Sequence, residues 1–157
     1  MRSVEAGRQR IVRDDYTGKL ISANAGLLQL LLNAGYVPVV APLALGVQAE
    51  RLNVDGDRAA ALIASSLGAT TLLILSNVPG LLASFPDESS LVRHVAPSQL
   101  DWAESLAQGR MKKKVLAARE ALAGGVTQVI LAESRLAQPI RTALTGGGTW
   151  IGQSDRP

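Results

Sequence analysis

Three short apolar runs, VPVVA at 37–41, TLLIL at 71–75 and VIL at 129–131, each follow a helical pattern that ends in glycine. Runs of that length suit strands covered on both faces, and the glycines stop the preceding helices. Strand and helix alternating at these spacings predict an α/β fold. The expected form is a three-layer α/β/α sandwich with a mainly parallel sheet. Pro38 puts the start of the first run at a sheet edge or strand start.

The helices between these runs have readable ends. Asn24 caps the first, with Leu27, Leu28, Leu31 and Leu32 as its buried face and Gly35 after it. Asp57, Ala60, Ala64 and Leu67 fall on one stripe of the next, with Ile63 beside it and Gly68 closing it. Ser98 and Asp101 have the spacing of a capping box ahead of Leu100, Trp102 and Leu106. After Gly109, a helix over 111–123 carries Met111, Val115, Ala118 and Leu122 and ends at Gly124-Gly125. A last helix spans 136–144 with Pro139 near its start, and 149–151 reads as a closing strand. Strands at 2–4 and 9–12 form a small N-terminal β-hairpin around Ala6-Gly7, with a further short strand at 20–22. A loop or small hairpin surrounds Gly46. Residues 86–97 read as irregular, with His94 at or near the surface.

Composition narrows the function classes. The 157 residues form one domain with room for a real core, built from Leu, Val, Ile and Ala because only 3% are aromatic. A formal net charge of +3 falls short of a dedicated nucleic-acid binder and suits an anionic ligand better. The absence of cysteine and the single histidine exclude thiolate and multi-histidine metal sites. Residues 27–45 are mostly apolar, but Gln29, Asn33, Gly35, Pro38 and Pro42 read as helix, turn and strand rather than a membrane span. The polar start MRSVEAGRQR lacks a secretory pattern, so a cytoplasmic protein is expected.

Two charged clusters invite chemistry. Asp57 in a first helical turn is either a helix-dipole partner or an active-site acid, and the stretch alone leaves both open. Arg110-Met111-Lys112-Lys113-Lys114 is basic where a helix dipole disfavours cations, so a negative partner is expected. At about 100° per residue, Lys113 points away from the apolar stripe and reads as solvated. Lys114 lies about 70° from the centre of the stripe, at the margin of the buried face. A helix start with a lysine there favours anions. The loop 76–80, SNVPG, follows a buried strand, where open α/β sheets bind ligands. No Walker or GxGxxG pattern is present.

The blocks NVDGDRAA, LILSNVPGLL, GRMKKKVLAAREALAGGV and GGGTWI resemble the C-terminal half of the amino acid kinase family. The acetylglutamate kinase branch is nearest. RDDYTGK followed by NVDGDRAA and SNVPGLL is most similar to the [LysW]-aminoadipate/[LysW]-glutamate kinases of lysine and arginine biosynthesis. The resemblance implies ATP-dependent phosphorylation of a side-chain carboxylate to an acyl phosphate, with Mg2+ arriving as the ATP complex. It implies that Lys114 stabilises the transferring phosphoryl group and that Asp57 holds the catalytic lysines. It places Asn53 at the amino-acid substrate, Ser76, Asn77 and Gly80 on the nucleotide side, and Met111 near the adenine. Two departures are Asn77, where many acetylglutamate kinases have Asp, and Lys112-Lys113 in place of an apolar pair.

The implied partners are an amino acid carried on the small acidic protein LysW and further copies of the chain as a homo-oligomer, with neither nucleic acid nor membrane. By the same resemblance, 1–22 is a hairpin and substrate-side loop and 23–157 the nucleotide-binding core. The family's N-terminal half is missing, and the chain alone is expected to be inactive. The alternatives are a free N-acetylglutamate kinase and a non-catalytic nucleotide-binding or interaction module. RDDYTGK, Arg8, Arg10, Arg13 and Lys19 are the surface an acidic carrier would find.

Overall fold

The computed structural model describes residues 2–5, 8–11 and 18–153. The chain opens with β1 (Arg2–Glu5) and β2 (Arg8–Ile11), an antiparallel hairpin in which Arg2 faces Ile11 and Glu5 faces Arg8. Residues 18–24 are irregular, so the strand expected at 20–22 is not formed. Among the described residues they pair with no strand beyond one hydrogen bond, Gly18 N–H donating to Asn53 O of the later strand 51–53 at 3.0 Å. Helix α1 (Ala25–Asn33) begins as expected, with the Asn24 side chain accepting from Leu27 N–H at 3.0 Å. Strands β3 (Leu43–Leu45) and β4 (Arg51–Asn53) make the small hairpin around Gly46.

The core follows. Helix α2 (Gly56–Ser66) leads into β5 (Thr71–Ser76), and β6 (His94–Val95) comes after two stretches of irregular chain and a 3₁₀ turn. Helices α3 (Leu100–Leu106) and α4 (Met111–Ala123) precede β7 (Gln128–Glu133), α5 (Pro139–Leu144) and β8 (Thr149–Gly152). The sheet order is β5-β7-β8-β6. β5 runs parallel to β7 and β6 parallel to β8, while β7 and β8 are antiparallel. The α/β class therefore stands, with two of these three pairings parallel.

Period-two alternation sorts the sheet into faces. Leu72, Ile74, Val129 and Leu131 pack with α2, α3 and α4, through Ala61, Ala64, Ala103, Val115 and Ala118. Ile130, Ala132 and Trp150 turn the other way and meet Ala143 of α5. That gives the expected three layers. Helices α2 and α4 meet through small residues; a Cβ added at Gly124 would run into the Ser65 side chain. The buried face of α2 centres on Ala61 and Ala64 rather than on Ala60, and Ala117 and Ala121 join the buried set of α4. Each helix covers both the sheet and a neighbouring helix, so more than one stripe is used.

Four expectations are corrected. Residues 37–41 form no strand, and Val37 and Val39 are 87% and 97% exposed. A strand exists only with a hydrogen-bonded neighbour, and none among the described residues flanks this run. Helix α1 buries no residue for the same reason: Leu27 and Leu32 are exposed and Leu28 and Leu31 half-buried. The Ser98–Asp101 box is not made; Gln99 Oε1 instead accepts from Ala96 N–H at 3.0 Å, and Asp101 pairs with Arg119. Within 86–97, supposed irregular, half-buried His94 and buried Val95 form β6 against Trp150 and Ile151. No helix among the described residues is long and apolar enough to cross a membrane.

These burials predict unequal responses to trimming. Ile151→Val should cost about 0.5–1.5 kcal/mol of stability, since it opens a void in a closed core. Val39→Ala should stay within about 0.5 kcal/mol. Urea unfolding at low protein concentration checks both.

Candidate functional site

The packing of α2 on α4 brings two helix N-termini side by side. Asp55 caps α2, its carboxylate accepting from Asp57 N–H at 3.1 Å and Arg58 N–H at 3.2 Å. Asp57 follows in the first turn and points to α4, where Lys114 Nζ donates to its Oδ1 at 3.0 Å and its Oδ2 at 3.1 Å. With side-chain exposures of 16% and 25%, this pair is well withdrawn from solvent. Lys113 reaches back to Asp55 at 2.9 Å, so the lysine read as merely solvated is a partner, although 66% of it remains exposed. Arg58 grips Glu120 through Nε and Nη2, tying the helices together further along. The basic first turn of α4 thus meets its negative charge on α2.

A cleft of about 1030 Å³ opens over these termini. One wall is the α2 start at Asp55, Gly56 and Asp57; a second is 108–114, with Gln108, Gly109, Arg110, Met111, Lys113 and Lys114. The third is the segment after β5: Ser76, Asn77, Val78, Gly80, Leu81, Leu82 and Phe85, with Leu106 completing an apolar side. Of the residues singled out from sequence, Asp57, Lys114, Ser76, Asn77, Gly80 and Met111 all reach this cleft. Asn53 does not line it. It is exposed on β4, with its carbonyl taken by Gly18 N–H. Lys19 is exposed, Arg8 and Arg10 stand on β2, and Arg13 with RDDYT lies outside the described residues.

Sequence reasoning missed the Asp55–Lys113 contact, the Phe85 and Leu82 wall, and Thr149. Thr149 Oγ1, fully buried, accepts from Leu81 N–H at 2.8 Å. Only its place in a closing strand was visible, because its partner is far away in sequence. Chemically, the cleft offers the positive dipole ends of two helices and a lysine for an anion, with an apolar flank for a flat group. Among the described residues no cluster of three or more acidic or histidine side chains could hold a metal ion.

Residues 1–133 match the model of the Amino acid kinase family. The chain belongs to the amino acid kinase family. It is 51% identical over 150 residues to a [LysW]-aminoadipate kinase of Thermus thermophilus, covering 94% of this chain and 56% of that protein. A [LysW]-aminoadipate kinase of Deinococcus radiodurans is 50% identical, with 96% of this chain and 52% of that protein covered. An acetylglutamate kinase of Methanopyrus kandleri is 38% identical over 118 residues, 74% of this chain and 48% of that protein. The chain thus spans about half the length of these curated relatives. Among solved structures, carbamate kinase from Giardia lamblia bound to AMP-PNP shares the fold, with TM-score 0.67 and 23% identity over 96% of this chain and 51% of that one.

Asp55 gives this cleft a pH signature. Burial alone pushes its carboxyl up, but the Lys113 hydrogen bond and charge and the N–H groups of Arg58 and Asp57 hold it below the usual carboxylate range. A lowered folded-state value makes ionised Asp55 stabilising above its unfolded pKa of about 3.9, and that contribution is lost as pH falls through the lower folded value. Asp55→Ala should destabilise by about 0.5–2 kcal/mol at neutral pH. The gap from wild type should shrink once the pH drops below about 3.9, as urea unfolding across the acid range would read.

Proposed function

We propose that this chain is the nucleotide-binding part of a kinase that transfers the γ-phosphoryl group of ATP to a side-chain carboxylate of an amino acid. The observation that carries the reading is Lys114 held by both oxygens of Asp57 where two helix N-termini face one cleft. Phosphoryl transfer requires little covalent chemistry from protein, only positioning and positive charge on the transferring oxygens. A carboxylate oxygen attacks the γ-phosphorus while the bond to the β–γ bridging oxygen breaks. ADP leaves with that electron pair and an acyl phosphate remains. The acceptor is already ionised, so no general base is needed.

In this reading Lys114 stabilises the transferring phosphoryl group and Asp57 fixes its ammonium. The positive dipole ends of α2 and α4 face the phosphates. Ser76, Asn77 and Gly80 line the nucleotide side, and Met111 with Leu82 and Phe85 offers the base an apolar flank. Asn53, outside the cleft, serves the amino-acid portion of the substrate. Mg2+ enters with ATP, because both cleft carboxylates are already engaged by lysines.

Identity of 51% and 50% to relatives named [LysW]-aminoadipate kinase supports aminoadipate, or glutamate, carried on the acidic protein LysW as substrate. The 38% identity to an acetylglutamate kinase supports free N-acetylglutamate as the second reading. Binding to the acidic carrier that weakens as salt rises separates them.

The same reading extends to organisation. Residues 1–157 make one domain, the C-terminal part of a larger amino acid kinase fold in a cytoplasmic homo-oligomer. Eleven of the seventeen large exposed apolar side chains among the described residues fall between Ile21 and Val47, on and around α1. A patch of that kind marks a surface that is covered in the working assembly. The rest of the fold covers it, and the chain alone self-associates and binds nucleotide weakly.

An ATP-dependent acyl-phosphate assay, trapping the product with hydroxylamine, tests the reading. The isolated chain should show no turnover. A chimera joining it to the part of the Thermus relative it does not cover should be active. Lys114→Ala in that chimera should lower kcat by about 10²–10³. Full turnover by the isolated chain, or by the Lys114→Ala chimera, would contradict the proposal.

A further inference from the structure

The cleft wall formed by 76–82 is not held by its own strand. It leaves β5 at Ser76, where Ser76 Oγ closes a short turn on Val78, accepting from Val78 N–H at 3.4 Å and donating to Val78 O at 3.2 Å. It then crosses to β8. There Leu81, 1% exposed, gives its N–H to Thr149 Oγ1 at 2.8 Å and its carbonyl to Val92 N–H at 2.9 Å. Gly80 comes so close that a Cβ on it would stand 2.5 Å from Thr149 Oγ1 and 3.0 Å from Thr149 N. Its φ of +158° also disfavours a side chain. Thr149 is the one buried polar side chain among the described residues, and its hydroxyl reaches Leu81 in the wall of the cleft.

We propose that Thr149 is a positioning residue for phosphoryl transfer, fixing through the Leu81 amide and the Gly80 contact the Asn77–Gly80 turn that lines the nucleotide side. It touches no substrate. A hydroxyl is required because the buried Leu81 N–H has no other partner among the described residues, and an unpaired buried donor is relieved only by moving the loop. The loop and Lys114 line one cleft, so displacing the loop moves the groups that face the phosphates relative to each other. This inference rests on the reading of the cleft as a nucleotide site.

Thr149→Val, Thr149→Ser and Gly80→Ala are compared with wild type by amide hydrogen exchange and by NMR titration with Mg·ATP. In Thr149→Val the Leu81 amide should exchange about tenfold faster while Ile130 keeps its protection, and the Kd for Mg·ATP should rise about tenfold. Thr149→Ser should restore both values, and Gly80→Ala should raise Kd from the opposite side of the contact. If Thr149→Val fails to fold, Gly80→Ala with the serine variant decides. Unchanged Leu81 exchange or unchanged nucleotide affinity in a folded Thr149→Val protein overturns the proposal. A wild-type chain whose cleft resonances ignore Mg·ATP overturns the nucleotide reading instead, and the positioning role with it, even where Leu81 exchange responds.

Discussion

The close approach of α2 to α4 is the contact on which the rest depends. Ala61 and Ala64 of α2 and Ala117, Ala118 and Ala121 of α4, each nearly or fully buried, share one core cluster, and Gly124 leaves room for Ser65. Larger side chains here would hold the helices apart. Their starts would then part as well, and Lys114 could not span to Asp57 at 3.0 Å. The alanine interface is thus what turns two separate helix termini into one charged site.

Electrostatics makes the arrangement one-sided. A first turn carrying Lys112, Lys113 and Lys114 opposes the dipole of α4. The acids of α2 compensate, and Asp55 and Asp57 each take one lysine. What remains above them is a cleft with the positive ends of two helix dipoles and partly neutralised ammonium groups, a setting that favours a multiply charged anion. The apolar side built from Leu81, Leu82, Leu106 and Met111 gives the same cleft a dry flank.

What was legible in the sequence was local. The bounds of α4, the Asn24 cap, the Gly46 hairpin and the strands around Ile74 and Ile130 follow from spacing and breakers, because neighbours along the chain decide them. Lys114 was legible for a related reason: its angle from the stripe is a property of one helix. The misread elements depend on partners far away in sequence. Val37–Val40 have strand composition without a flanking strand among the described residues. The leucines of α1 form a helical stripe of which none is fully buried among the described residues. Ser98 has cap spacing, but Gln99 takes the site and Arg119 takes Asp101. Thr149 and the Asp55–Lys113 pair were invisible for the same reason, since no local pattern announces a hydrogen bond across the sheet.

The central claim is that the cleft between the α2 and α4 starts receives the phosphates of a nucleotide. Mapping amide shifts of the isotope-labelled chain on adding Mg·ATP tests it most directly. The account predicts saturable shifts gathered at Asp55–Asp57, Ser76–Gly80 and Arg110–Lys114, and their loss in Lys114→Ala. Shifts centred instead on α5 or on the β3–β4 hairpin, with those three segments silent, would contradict it.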